Sequence, residues 1–179
     1  MRRGRLAFQL AAAALLLPGC ARPLPLANFA DSTPKLTPEQ FFLGDTTSTG
    51  VEETDAGAPS RRFTVSGHGV ALANGALRLD QTISFEGSPP RMRTWIITHQ
   101  GGHAYGATLT DADGTVSAEA EGDLFHLTYA IKGVPTGSME QWLYLQPGGC
   151  TVMNEGVARV AGFAIRRISE RISRVGGGC

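Results

Sequence analysis

The sequence has no excess of positive charge. Its 16 Lys and Arg balance 16 Asp and Glu. Arg2, Arg3 and Arg5 sit in the first five residues, so the remainder is slightly acidic. That excludes a protein whose affinity comes from tracking phosphates, which needs a basic face. Nucleic acid is therefore not an expected partner. The sequence also lacks a nucleophile elbow. Ser66 in Ser66-Gly67-His68-Gly69 is without the flanking Gly-x-Ser-x-Gly pattern. No Cys-His or Ser-His-Asp arrangement declares itself, so the chain reads as a binding protein rather than an enzyme. There is no internal repeat, no charge run and no second domain. No residue pattern calls for a cofactor. Cysteine is scarce at 3 residues, namely Cys20, Cys150 and Cys179.

What is present begins with a leader. Met1 to Arg5 is positive, and Leu6 to Leu17 carries no charge. A bilayer span needs ~20 apolar residues, so this run fits a secretory signal better than a membrane helix. Leu17-Pro18-Gly19-Cys20 resembles a bacterial lipobox, with Pro18 departing from the usual small residue at that position. Cys20 is the expected lipidation site, and residues 1–20 the signal peptide. A lipid anchor makes a membrane the expected partner. Ala21 in place of Asp after the cysteine favours the outer membrane, with the domain facing the periplasm. The expected localisation is the bacterial cell envelope.

Residues 21–60 read as a spacer and docking segment. Pro23, Pro25, Pro34 and Pro38 interrupt any regular pattern. Thr37-Pro38-Glu39-Gln40 can start one helical turn leading to Phe41-Phe42. Gly44 to Ser60 reads as a long loop or a weak first strand.

From Arg61 the pattern turns to period two, and residues 61–175 form the expected domain. Phe63 and Val65 share one face. Asn74-Gly75 is a hairpin turn signal. Leu77, Leu79, Ile83 and Phe85 line the next strand, and Arg93, Trp95 and Ile97 the one after. Tyr105, Ala107 and Leu109 follow in register. Phe125, Leu127, Tyr129 and Ile131 alternate cleanly, and Trp142 and Tyr144 share a face. The 23 Gly and 10 Pro suit many tight turns. About eight strands with hairpin-length connections predict an all-β protein, an antiparallel up-and-down barrel. Gly162 to Val175 is either a closing strand or a short helix, since Ile165, Ile168 and Ile172 fit both. Residues 176–179 are a glycine-rich tail.

The strand motifs carry a family resemblance from about Phe41 to Arg174. The matching pieces are Phe42-Leu43-Gly44, Arg61-Arg62-Phe63-Thr64-Val65, Leu77-Arg78-Leu79-Asp80, Arg93-Thr94-Trp95-Ile96-Ile97, Tyr105-Gly106-Ala107 and Gln141-Trp142-Leu143-Tyr144-Leu145. They resemble an uncharacterised bacterial family of envelope lipoproteins with a lipocalin-like β-barrel. The chain departs from that pattern at Gln141, at Asn154-Glu155-Gly156 and before Gly162. The resemblance implies a location and a fold, not a reaction.

The candidate ligand-binding residues are Arg93, Trp95, Tyr105, Tyr129, Trp142 and Tyr144. An arginine inside a barrel can pair an anionic head group while aromatics hold an apolar tail, so a small hydrophobic or amphiphilic ligand is the expected occupant. The bland alternative is that Arg93 is structural support stacked on a tryptophan. The eight aromatics Phe63, Phe85, Trp95, Tyr105, Phe125, Tyr129, Trp142 and Tyr144 either line a cavity or simply fill a small barrel. His99 and His103 flank a Gly-Gly turn but lack a third ligand, so no metal site is expected. Arg166, Arg167, Arg171 and Arg174 form a basic cluster that reads first as a solvated face. Cys150 and Cys179 either pair or leave a free thiol.

Overall fold

A computed structural model describes residues 24–176 and residue 179. Ten antiparallel strands close into a barrel. They are β1 (Gly44–Glu53), β2 (Pro59–Ala71), β3 (Leu77–Phe85), β4 (Arg91–Gly101), β5 (Ala104–Leu109), β6 (Ala112–Glu121), β7 (Leu124–Ile131), β8 (Gly137–Leu145), β9 (Thr151–Val160) and β10 (Phe163–Arg174). Each strand pairs with its sequence neighbours, and β10 pairs back onto β1. The all-β, up-and-down barrel expected from the sequence is what forms.

The strand number is ten rather than about eight, for two reasons. The barrel begins at Gly44, inside the stretch read as spacer and ahead of Arg61, so of the two readings of Gly44 to Ser60 the weak first strand is the one that forms. The inward positions of β1 are Thr46, Ser48, Gly50 and Glu52, so the strand has no apolar alternation to reveal it. The ambiguous final segment is the closing strand β10. Its inward row is Ile168, Glu170 and Ile172. Ile165, an odd number of residues from that row, is the unpaired residue at the register shift between Ala164 and Arg166, and it is exposed.

The Asn74-Gly75 turn forms as its chemistry requires. Gly75 has φ 82°, the left-handed region that glycine enters without strain. The Asn74 side chain accepts a bond from Ala76 N at 3.2 Å.

One end of the barrel is plugged by the chain that precedes β1. A 3-10 turn at Leu26–Phe29 is followed by α1 (Pro38–Phe41), with Thr37 at the cap position but making no side-chain cap bond. Leu36, Phe41 and Phe42 join the main core cluster with Leu77, Leu79, Trp95, Ile97 and Tyr105. The plug fits because β2 carries Gly69 beneath it: a Cβ there would lie 1.8 Å from Phe42 O. The segment before the plug is held by Leu36 N on Gly122 O at 2.7 Å and by Ser32 Oγ on Asp123 Oδ1 at 2.6 Å. The β8–β9 connection lies at the same end, and there Cys150 is bonded to Cys179. Among the described residues no helix is long and apolar enough to cross a membrane.

A second, smaller apolar cluster sits at the opposite end, made of Phe63, Val65 and Ile83 with Phe85 and Ile168 packed on it. Between the two clusters the interior is polar.

Candidate binding site in the barrel interior

The polar belt arises where single polar residues interrupt inward apolar rows. In β3 the row Leu77, Leu79, Gln81, Ile83 breaks at Gln81. Asn154 interrupts β9, Gln141 interrupts β8 and Glu170 interrupts β10. β1 adds Thr46 and Ser48, and β4 adds Arg93. Gln81, Gln141, Asn154, Glu170, Thr46 and Ser48 are all buried.

The belt divides into two bonded groups. Gln81 Oε1 accepts from Arg93 Nε at 2.7 Å and from Trp95 Nε1 at 3.0 Å. The Arg93 guanidinium carbon lies 5.6 Å from the centre of the Trp95 ring. Glu170 accepts from Ser48 Oγ and, at 2.9 Å, from Asn154 Nδ2. Asn154 Oδ1 is buried without a partner. Among the described residues no carboxylate lies within ion-pair reach of Arg93, and its two terminal nitrogens make no hydrogen bond to protein. An unsatisfied buried polar group costs ~1–3 kcal/mol; in this belt that applies to Asn154 Oδ1, while Arg93 is half-buried.

Two interior spaces meet at this belt. The deeper one, of about 40 Å³, is walled by Leu79, Ile97, Val116, Phe125, Leu143 and the plug residue Phe42. It has room for a water or two. The outer one, of about 140 Å³, is walled by Phe63, Val65, Ile83, Phe85, Met139 and Ile168, with Glu52, Arg91 and Asp111 at its rim. Arg93, Gln141 and Glu170 line both. Pockets for drug-sized ligands run to ~300–1,000 Å³, so this interior suits the end of a molecule rather than a whole one.

The sequence candidates separate on this geometry. Arg93, Trp95 and Tyr129 meet in the interior, with the Trp95 and Tyr129 rings edge to face at 5.9 Å. Burial holds the Tyr129 hydroxyl above its ordinary pKa; the positive charge of Arg93 pulls down and the charge of Asp111 pushes up. Tyr105 also points inward, but at the plugged end, edge to face with Phe125 and 3.4 Å from Glu39 Oε1. Its hydroxyl is pushed far up, by burial first and by the Glu39 charge second. Trp142 and Tyr144 do not line the interior. β8 sends Gln141, Leu143 and Leu145 inward and these two aromatics outward. Trp142 stacks on His126 of β7 with ring centres 5.4 Å apart. Tyr144 lies 5.9 Å from Phe29 in the segment that wraps the barrel. The shared face of Trp142 and Tyr144 was legible; its direction was not, because polar Gln141 takes the inside position.

Other candidates resolve more simply. His99 Nε2 lies 3.0 Å from Gly102 O, while His103 Nδ1 meets Ala120 O at 3.1 Å. Among the described residues no group of three or more His, Cys, Asp or Glu converges on a metal position. The basic cluster is spread along β10, with Arg167 opposite Glu53 near one barrel end and Arg174 opposite Thr46 near the other. Cys20 lies outside the described residues.

A closed antiparallel meander, plugged at one end and with a polar belt across its interior, is a lipocalin-like barrel. The chain belongs to a family of proteins of unknown function, DUF3833, whose pattern matches residues 14–174. No curated protein matches it by sequence. Among solved structures it is similar to the S-type phycobiliprotein lyase CPES from Guillardia theta, with a TM-score of 0.63 and 9% identity over 87% of this chain and 99% of that one. It is also similar to a DUF3598 family protein of unknown function from Nostoc punctiforme, with a TM-score of 0.59 and 15% identity over 79% of this chain and 50% of that one. At these identities the likeness is one of fold.

Proposed function

We propose that this protein is a membrane-anchored lipoprotein of the bacterial cell envelope whose barrel binds a small amphiphilic ligand without catalysis. The observation that carries the binding reading is Arg93, a guanidinium turned into the barrel with Nε on Gln81 and no carboxylate partner among the described residues. Arg93 stacks on Trp95 at 5.6 Å and, with no acid beside it among the described residues, keeps its charge free for an anionic head group. Trp95 and Tyr129 supply the aromatic surface. By fold analogy alone, a barrel of similar architecture serves as a phycobiliprotein lyase.

The anchor rests on the leader, with its positive start, short apolar run and Leu17-Pro18-Gly19-Cys20 close. The Cys150–Cys179 bond agrees with an oxidising compartment such as the periplasm. Native mass spectrometry of protein purified from its own host tests the ligand: a copurified mass that is lost in Arg93→Gln is expected, and bare protein counts against binding. Cys20→Ser is expected to release the protein from the membrane fraction; retention there ends the anchor reading.

A second reading is an assembly lipoprotein whose solid barrel works through its outer surface. It is favoured by the deep space of only about 40 Å³.

A further inference from the structure

The layering of the interior goes further than the presence of a ligand: it selects which end of the molecule enters. The plugged end is packed with apolar side chains and leaves about 40 Å³, too little for a hydrocarbon chain. The polar belt lies in the middle. The apolar cluster of Phe63, Val65, Ile83, Phe85 and Ile168 lies at the mouth, around the chamber of about 140 Å³. An amphiphile whose chain entered first would carry its tail past the belt into a space that cannot hold it. Its charged end would then stand among phenylalanines. Reversed, every layer is matched. We infer that the occupant is a single-chain monocarboxylate that enters head first, its carboxylate on Arg93 and its chain in the mouth; this rests on the binding reading above.

The head-group chemistry follows from what the belt leaves open. Arg93 spends Nε on Gln81, so its two terminal nitrogens remain as a fork without a protein partner among the described residues. A carboxylate meets such a fork with two parallel bonds. Gln141 is buried, lines both spaces and makes no side-chain hydrogen bond to the described protein, so its amide is available as a third donor. The charge count argues for a single negative charge. The outer chamber is walled by Arg91 and Arg93 but also by Glu52, Asp111 and Glu170. Glu52 is already held by Arg61 at 2.7 Å. A phosphate dianion brought beside Glu170 would meet repulsion, with Arg93 the guanidinium at the belt and Arg91 standing further out at the rim. The chain length is bounded too. A strand rises ~3.3 Å per residue, so the rim at Arg91 stands about 7 Å above Arg93, and a longer chain emerges from the mouth.

The two tryptophans make the orientation measurable. Trp95 sits one inward position deeper than Arg93, while Trp142 is on the outer wall and can be replaced without touching the site. In full-length W142F protein, the probes are 2-bromooctanoate and 8-bromooctanoate, since bromine quenches indole emission only near contact. Head-first entry predicts that both bind with similar affinity by calorimetry and that only the 2-bromo acid quenches Trp95. Quenching by the 8-bromo acid, alone or equally, overturns the orientation and leaves binding intact. Arg93→Gln is expected to weaken octanoate about 10- to 100-fold. Arg93→Lys, which keeps the charge but not the fork, should fall between, and it guards against a folding defect in the first variant. Octyl phosphate binding more tightly than octanoate overturns the monoanion argument. If octanoates fail to bind while native mass spectrometry still finds a copurified mass, the carboxylate assignment falls and the binding reading stands; if both fail, both fall.

Discussion

Arg93 and Glu170 line the same interior without forming an ion pair, because each is held back by neighbours of its own. Gln81 takes Arg93 through Nε, and Ser48 with Asn154 takes Glu170. Opposite charges that line one interior would ordinarily be expected to pair. Here the hydrogen bonds keep the guanidinium fork open.

Gln81 is the residue that holds this arrangement, since its one carbonyl oxygen serves both Arg93 and Trp95. Gln81→Leu leaves the buried indole N–H and the half-buried guanidinium Nε without partners. A loss of about 1–3 kcal/mol is expected, with a lowered midpoint in urea denaturation. An unchanged midpoint would show that the Gln81 bonds contribute nothing net.

Gly69 is expected to tolerate no side chain. Its Cβ position is 1.8 Å from the Phe42 carbonyl, a backbone atom that cannot swing aside. Gly69→Ala should push the plug out of register and cost about 1–3 kcal/mol. Limited proteolysis reads the effect directly: cleavage between residues 24 and 43 should accelerate while the strands stay resistant.

Alkaline pH should weaken the fold through Tyr129. Its hydroxyl is raised by burial above the ordinary value of 10.0. Above that value the unfolded chain gives up the proton and the folded chain keeps it, so the folded state holds more protons and stability falls as pH rises. The loss begins near the ordinary tyrosine value and ends at the raised one. Denaturation midpoints followed from pH 8 to 11 check this. Tyr129→Phe should flatten the decline relative to the parent, and an identical slope would remove Tyr129 as a cause.

Reduction of Cys150–Cys179 should also be costly. The two cysteines are 29 residues apart, and closing a loop of that size is worth ~3–4 kcal/mol in the chain-entropy model. Thermal unfolding with and without a reductant measures it. A shift of less than a degree or so would mean that the bond restrains only the tail.

Much of this architecture was legible because period two survives wherever an inward row is apolar. Phe125, Leu127, Tyr129 and Ile131 announce β7 without ambiguity. The meander followed from hairpin-length connections, and Arg93 was placed on the Trp95 face correctly. What escaped notice was of one kind. Gln81, Gln141, Asn154 and Glu170 are polar residues at inward positions, and a reading that looks for apolar alternation does not place them there; Gln141 and Asn154 stood out only as departures from the family pattern. The same blindness left β1 undecided between a loop and a weak first strand, and turned Trp142 and Tyr144 the wrong way. A sharper reading would treat a lone polar residue inside an otherwise apolar row as a site signal, since burial of such a group is tolerated only with a partner.

The seam between β1 and β10 is the one pairing in the barrel that joins strands distant in sequence. The other nine form between neighbours and can assemble as hairpins while the chain is still emerging. β1 must wait. Its inward face offers Thr46, Ser48, Gly50 and Glu52, nothing that would hold it by hydrophobic contact alone, and its second partner is the last strand made. Closure is therefore a late event in folding, and before it β2 or β1 and β10 present open edges able to pair with another chain. Refolding yield should fall with protein concentration for that reason, and intermolecular pairing at this seam is the route by which the barrel would aggregate.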